Sequence, residues 1–99
     1  IPEDNFIRQA NYKQFMAYKQ LTKLIREKIQ RKETIETKVL NLYEASNPSF
    51  YYVYEILGDY YAAIQQTDTA ITYWQKALTM PIPKQAEKVR IQQKINKKQ

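Results

Sequence analysis

The spacing of small and aromatic residues between positions 54 and 77 constrains the fold of this chain more than any other feature. The order is Tyr54-x2-Leu57-Gly58-x2-Tyr61, then Ala70-x3-Trp74-x2-Ala77. Residues at intervals of three and four share one face of an α-helix. Gly58 and Ala70 are small enough to let two helices approach closely, and the aromatic side chains fill the remaining space. The pattern therefore predicts two packed helices that approach closely at Gly58 and Ala70.

This segment resembles the tetratricopeptide repeat, a helix pair of about 34 residues with the signature W-x2-L-G-x2-Y, then A-x3-F, then P. Tyr54 stands where that signature has tryptophan, and Trp74 stands where it has phenylalanine. Pro81 and Pro83 supply the closing proline. The resemblance implies an all-α fold of antiparallel helix pairs, an α-solenoid fragment, with the clear repeat at residues 51–83.

A weaker copy of the pattern precedes the clear repeat. Residues 17–50 are interpreted as a degenerate repeat, in which Pro48 occupies the closing position. Leu40 and Tyr43 remain as apolar residues of its second helix, whereas Glu36 stands where alanine is usual. We predict a polar capping helix over residues 84–98, because helical repeat arrays need such a helix at their ends. We expect one domain over residues 1–99 with about five helices.

The first helix should run from about Pro2 to Arg31, because its apolar residues recur at intervals of three and four. The residues predicted to cap the first four helices are Asp4 or Asn5, Thr34, Ser49 and Thr67. The residues expected on the buried face of the second helix are Ile35, Val39, Leu42 and Tyr43. Pro48 should end that helix, since the residue before a proline is biased away from helical dihedrals.

Composition disfavours an independent active site. The chain has no cysteine and no histidine, so it lacks the usual general base near neutral pH and the commonest metal ligand. We expect no enzyme activity of its own, no cofactor and no metal. No segment has the roughly 18 consecutive apolar residues of a membrane span, so a soluble chain is expected. The chain begins at Ile1, so we expect a fragment of a longer protein, and the compartment is left open.

The net charge of +6 is concentrated in the last helix. Residues 84–99 contain six Lys/Arg and one Asp/Glu, a balance of +5, whereas residues 50–83 contain one and three, a balance of −2. A solvated capping helix accounts for the basic excess. Nucleic acid is a disfavoured partner, because no aromatic residues interleave these basic residues as a stacking platform requires.

The resemblance also implies a binding groove along the first helix of each repeat. The positions that would line it are Tyr18, Leu21, Ile25, Lys28, Ile29, Tyr52, Glu55, Asp59, Ala62 and Ala63. We take Tyr18, Leu21, Ile25, Tyr52, Glu55 and Asp59 as the candidate partner-binding residues. Glu55 and Asp59 are predicted to be a solvated acidic pair that repels a carboxylate and suits a basic or amphipathic segment. The alternative is that Leu21, Ile25 and Ile29 are covered by internal packing.

These observations favour a non-catalytic protein–protein interaction or scaffold module. About three repeats are usually needed for a stable array, and this chain has fewer. We therefore expect an exposed apolar surface along Phe6, Tyr12 and Phe15. It would contact a protein or peptide partner, a second copy of the chain, or a neighbouring domain.

A second hypothesis concerns an enzyme. The order of Asn47-Pro48-x-Phe50-Tyr51, Leu57-Gly58-Asp59-Tyr60 and Pro81-Ile82-Pro83 resembles the helical tail of some bacterial penicillin acyltransferase-like proteins. In that family the tail follows a self-cleaving domain with an N-terminal cysteine nucleophile. The resemblance implies an accessory domain that steadies a catalytic domain upstream. No catalytic residue carries over, because this chain has no cysteine.

Overall fold

A computed structural model describes the backbone of residues 2–99 and the side chains of residues 12–99. Its five helices are α1 (Pro2–Arg31), α2 (Thr37–Ser46), α3 (Tyr51–Ala63), α4 (Thr67–Leu78) and α5 (Gln85–Lys98). Residues 2–99 contain no β-strand. The all-α fold and the number of helices predicted from the sequence are confirmed. Within the same residues, no helix is both long enough and apolar enough to cross a membrane.

The helices pack in chain order into a slab of 53 × 30 × 17 Å. The central helix is α3, which contacts α1, α2 and α4, while α5 packs on α4. Eight of the thirteen residues of α3 are buried. This agrees with its sequence, since a helix that is apolar on all sides must be covered on more than one side.

The predicted close approach of α3 and α4 is confirmed at Gly58. A Cβ atom placed on Gly58 would overlap the indole ring of Trp74 and would lie 3.0 Å from the carbonyl oxygen of Ala70. Trp74 is only 3% exposed, and its indole N–H donates to the carbonyl oxygen of Glu55 at 3.2 Å. The indole therefore occupies the space that the missing side chain leaves.

Aromatic residues fill the rest of the interface between α3 and α4. Tyr61 stacks on Tyr73 with ring centroids 5.3 Å apart, and Tyr54 stacks on the same ring at 6.5 Å. Phe50, by contrast, packs edge to face on Tyr18 of α1 at 5.9 Å. The aromatic residues of this segment thus join α3 to its partner helix on one side and to the preceding helices on the other.

The contact between α1 and α2 is also aromatic. Tyr18 stacks on Tyr43 with centroids 5.8 Å apart. The hydroxyl of Thr22 lies 2.8 Å from that of Tyr43 and donates to the carbonyl oxygen of Tyr18 at 2.7 Å. Leu40 and Tyr43 are buried as expected, but Leu42 is 54% exposed, so its predicted burial is wrong. Leu40 and Tyr43 set the buried face, and Leu42 points away because it lies about 200° around the helix from Leu40.

The predicted N-caps are wrong for α2, α3 and α4. The capping positions are Glu36, Phe50 and Gln66, and none of these side chains makes a capping hydrogen bond. Before α2 a tertiary contact fixes the chain instead, since the backbone N–H of Ile35 donates to the hydroxyl of Tyr60 at 2.9 Å. The predicted cap of α1, Asp4 or Asn5, lies outside the residues whose side chains are described.

Candidate functional site

The structure separates the residues predicted to line one groove. Ile25 is fully buried in the core, and Leu21 and Ile29 are partly buried against that core. Internal packing therefore accounts for Leu21 and Ile25, and the side chain of Ile25 is inaccessible to a partner. Tyr52, Glu55 and Asp59 lie, together with Ile29, in a groove of about 330 Å³ between α1, α3 and α5. Arg26, Arg90 and Lys94 line the same groove.

Among residues 12–99, Glu55 is the only charged residue that is less than a tenth exposed, at 1%. Arg90 of α5 binds its carboxylate with two hydrogen bonds, Nε to Oε2 at 2.8 Å and Nη2 to Oε1 at 2.7 Å. Lys94 Nζ donates to Oε2 at 2.8 Å. Both oxygens are thus held by cations, as a buried carboxylate requires.

Asp59 lies one turn further along α3 and shares one of these cations. Lys94 Nζ is 3.0 Å from each carboxylate oxygen of Asp59. The indole N–H of Trp74 is 3.1 Å from Oδ1 of Asp59. The ion-pair cluster of Glu55, Asp59, Arg90 and Lys94, here called the α3–α5 cluster, is therefore joined through Trp74 to the helix crossing at Gly58.

The two carboxyl groups have opposite pKa shifts. Burial acts to raise the pKa of Glu55, but the hydrogen bonds and charges of Arg90 and Lys94 outweigh it and hold the pKa below its ordinary value. For Asp59, burial is the largest effect and raises the pKa, and the negative charge of Glu55 raises it further. Lys94 and Trp74 lower the pKa, but they offset the effect of burial only in part. The pKa of the Arg90 guanidinium is raised by its hydrogen bonds to Glu55.

The prediction of a solvated acidic pair is therefore wrong. Glu55 is buried and Asp59 is three-quarters covered, with a side chain 26% exposed. A basic segment does contact these acids, but it is the chain's own α5. The interpretation of α5 as a merely solvated helix is wrong at Arg90 and Lys94, whose side chains are 45% and 30% exposed and which both form ion pairs.

One signal in the sequence could have revealed this pairing. Glu55 and Asp59 are four residues apart on α3, and Arg90 and Lys94 are four residues apart on α5. Residues at that interval share a helix face, so two helices lying side by side can match both charges at once. The matched spacing of the two pairs predicts the contact between α3 and α5, which the separate charge balances of the two helices do not.

A second groove of about 360 Å³ lies along α1. Its lining includes Tyr18, Lys19, Lys23, Arg26 and Glu27. Tyr18 is the only one of the six predicted binding residues on this surface. Arg26 lines both grooves, so the two surfaces are continuous.

Two exposed aromatic residues lie N-terminal to the second groove on α1. Tyr12 is 64% exposed and Phe15 is 54% exposed. Lys19 Nζ lies 5.5 Å from the centroid of the Phe15 ring, within the range of a cation–π contact. The expected exposed apolar surface is confirmed at these two residues, while Phe6 lies outside the residues whose side chains are described.

No group of three or more Asp or Glu residues that could hold a metal ion occurs among the residues described. Comparison of the chain with known protein families, curated proteins and solved structures gives no match. The resemblances to tetratricopeptide repeats and to the acyltransferase tail therefore stay predictions.

Proposed function

We propose that the chain is a non-catalytic protein–protein interaction module. The observation that carries the proposal is the exposure of Tyr12 and Phe15 on α1. Large aromatic side chains that lie next to each other on a helix face and remain in water are typical of a docking surface. Gln14 Nε2 donates to the carbonyl oxygen of Ala45 near the end of α2, so this surface borders the packed part of the molecule.

The ion pairs of Glu55 and Asp59 argue against a catalytic role for these two carboxylates. Each carboxylate oxygen of Glu55 accepts at least one hydrogen bond from Arg90 or Lys94. Asp59 is held by Lys94 and Trp74. An acid and base pair would need a carboxylate able to reach a substrate proton. These two are engaged within the molecule and act as structural ion pairs.

Site-specific photo-crosslinking tests the proposal. A benzophenone amino acid is placed at Phe15 in one variant and at Gln75, an exposed residue of α4, in a matched control. Both are irradiated in extracts of the source cells. We expect a discrete protein adduct from position 15 that position 75 does not give. Equal or absent labelling at the two positions would contradict the proposal.

A further inference from the structure

We propose that one face of α1 binds an acidic amphipathic helix of a partner protein. This face, called the α1 face below, consists of Tyr12, Phe15, Lys19, Lys23 and Arg26. The inference rests on the proposed interaction role and adds the chemistry of the partner. It differs from the groove predicted from the sequence, which was expected to be acidic and to suit a basic segment.

The α1 face is a continuous stripe. Its five residues follow one another at intervals of three, four, four and three, so they lie along one side of the helix. All five are exposed. Intervals of three and four are those at which two helices pack side by side along a seam. From Tyr12 to Arg26 the stripe spans two heptads, about 21 Å at 1.5 Å per residue, which is enough to contact several turns of a second helix.

The charge of the α1 face selects an acidic partner. Among the residues whose side chains are described, no carboxylate lies within 4.0 Å of the charged atoms of Lys19, Lys23 or Arg26. Glu27 is the one acid in the lining of the groove beside them. Three cations against one anion leave an excess of +2. Unpaired cations of this kind raise the rate and the specificity of association with an anionic partner.

The neighbouring groove does not oppose an acidic partner. Arg26 connects the α1 face to the groove that contains Glu55 and Asp59. Free carboxylates there would repel an acidic helix. Arg90 and Lys94 already neutralise both of them, so the surface beside Arg26 carries no uncompensated negative charge from this pair.

Charge also argues against a second copy of the chain as the occupant. Two copies packed in parallel through this stripe would bring two sets of Lys19, Lys23 and Arg26 together, and in an antiparallel pair the two Lys19 side chains would face each other. Each set would meet a surface with an excess of positive charge, and like charges facing each other disfavour such a contact.

Single-stranded nucleic acid fits the α1 face less well. Its aromatic residues, Tyr12 and Phe15, are grouped at one end and its cations at the other, whereas a strand needs aromatic and basic residues interleaved along its path. Lys19 also lies over the ring of Phe15, on a face that a base would need for stacking. An aromatic end followed by a basic section matches an amphipathic helix that presents apolar residues and then acidic residues.

A designed peptide serves as the probe. It is a fluorescein-labelled helix of about three heptads with Leu and Phe at the a and d positions and Glu at the e and g positions. The control peptide has Lys in place of every Glu. Fluorescence anisotropy measures binding of both peptides, of a labelled oligothymidylate, and of vesicles containing phosphatidylserine. We expect the acidic peptide to bind the chain more tightly than the other three probes.

Charge-reversal variants locate the binding surface. The triple variant Lys19→Glu/Lys23→Glu/Arg26→Glu should weaken binding of the acidic peptide by about tenfold or more. The matched control Lys84→Glu/Lys88→Glu/Lys97→Glu changes the net charge by the same amount at exposed positions and should weaken binding by less than about twofold. Tyr12→Ser/Phe15→Ser should also weaken binding by about tenfold, because these aromatic residues are the apolar anchors. Circular dichroism should show an unchanged fold, since all the altered residues are exposed.

Several results would overturn the inference. Equal weakening by the two triple variants would show that only the net charge matters. Tighter binding of the basic peptide would reverse the chemistry of the partner, and tighter binding of the oligothymidylate or the vesicles would identify a different class of ligand. These failures are distinct from failure of the interaction role. If the crosslink at position 15 forms but is unaffected by the α1 triple variant, the interaction role stands and the acidic partner is excluded.

Discussion

The indole ring of Trp74 occupies the space that a side chain on Gly58 would fill. A Cβ atom on Gly58 would overlap the ring, and Trp74 cannot move aside freely. Its N–H is hydrogen-bonded to the carbonyl oxygen of Glu55 and to Asp59, and only 3% of its surface is exposed. One contact thus joins the packing of α3 on α4 to the α3–α5 cluster.

Gly58→Ala should destabilise the chain by about 1–3 kcal/mol, the usual cost of overpacking. Helix propensity alone predicts the opposite sign, since alanine is favoured over glycine in a helix by about 1 kcal/mol. Urea denaturation decides between the two. In a Trp74→Ala background the overlap is gone, so Gly58→Ala should become neutral or stabilising there. If Gly58→Ala were more stable than the parent chain, α3 and α4 would not cross closely at Gly58.

Trp74→Ala should cost about 3–5 kcal/mol of unfolding free energy, because it removes a large buried ring and leaves a cavity. Trp74→Phe should cost less, since it keeps most of the ring and loses only the N–H donor shared by Glu55 and Asp59. Thermal denaturation of both variants measures the difference. Equal losses would mean that the ring contributes nothing beyond its hydrogen bonds.

The effects of Arg90→Met and Lys94→Met on the free energy of unfolding should be strongly non-additive. Either single variant leaves Glu55 with one cation. The double variant leaves a buried carboxylate unpaired, which costs about 3–5 kcal/mol. We expect this loss to exceed the sum of the two single losses in a double-mutant cycle. Additive single losses would indicate that Glu55 is solvated in the folded chain.

The dependence of stability on pH should differ in sign between the two acids. Glu55 has a lowered pKa, so its charged form stabilises the fold above its unfolded pKa of about 4.3, and this stability is lost as the pH falls through the folded value. Glu55→Gln should therefore be less stable than the parent chain at pH 7, with a deficit that shrinks in acid.

Asp59 has a raised pKa, so its contribution is present at low pH and is lost as the pH rises through the folded value. Asp59→Asn should be at least as stable as the parent chain at pH 7, and this advantage should vanish below about pH 4. Urea denaturation across this range checks both variants. Parallel pH profiles for the two substitutions would contradict the opposite shifts.

The sequence predicted the contacts that depend on local spacing. The small residues Gly58 and Ala70 predicted the close approach of α3 and α4, and Pro48 and Pro81 marked the ends of helices. The N-caps at Thr34, Ser49 and Thr67 were wrong, and before α2 a contact distant in sequence, that of Ile35 with Tyr60, fixes the turn.

The candidate site was harder to predict for the same reason. Whether Glu55 is solvated depends on where α5 lies, and that position is set by tertiary packing. The periodicity of α1 indicated an apolar face but not its direction, so it left Ile25 open between a binding groove and internal packing, and Ile25 lies in the core. Tyr12 and Phe15 are exposed as predicted, and that prediction rested on the number of repeats, which is smaller than a stable array needs.

The most direct test of the account is a carboxyl ¹³C NMR titration of Glu55 and Asp59 in the intact chain. Helix α5 covers and neutralises this pair in the folded chain. We therefore expect a titration midpoint for Glu55 below the ordinary value of about 4.3 and a midpoint for Asp59 above the ordinary value of about 3.9. Ordinary midpoints for both groups, unchanged in an Arg90→Met/Lys94→Met variant, would show a solvated acidic pair and would contradict the account.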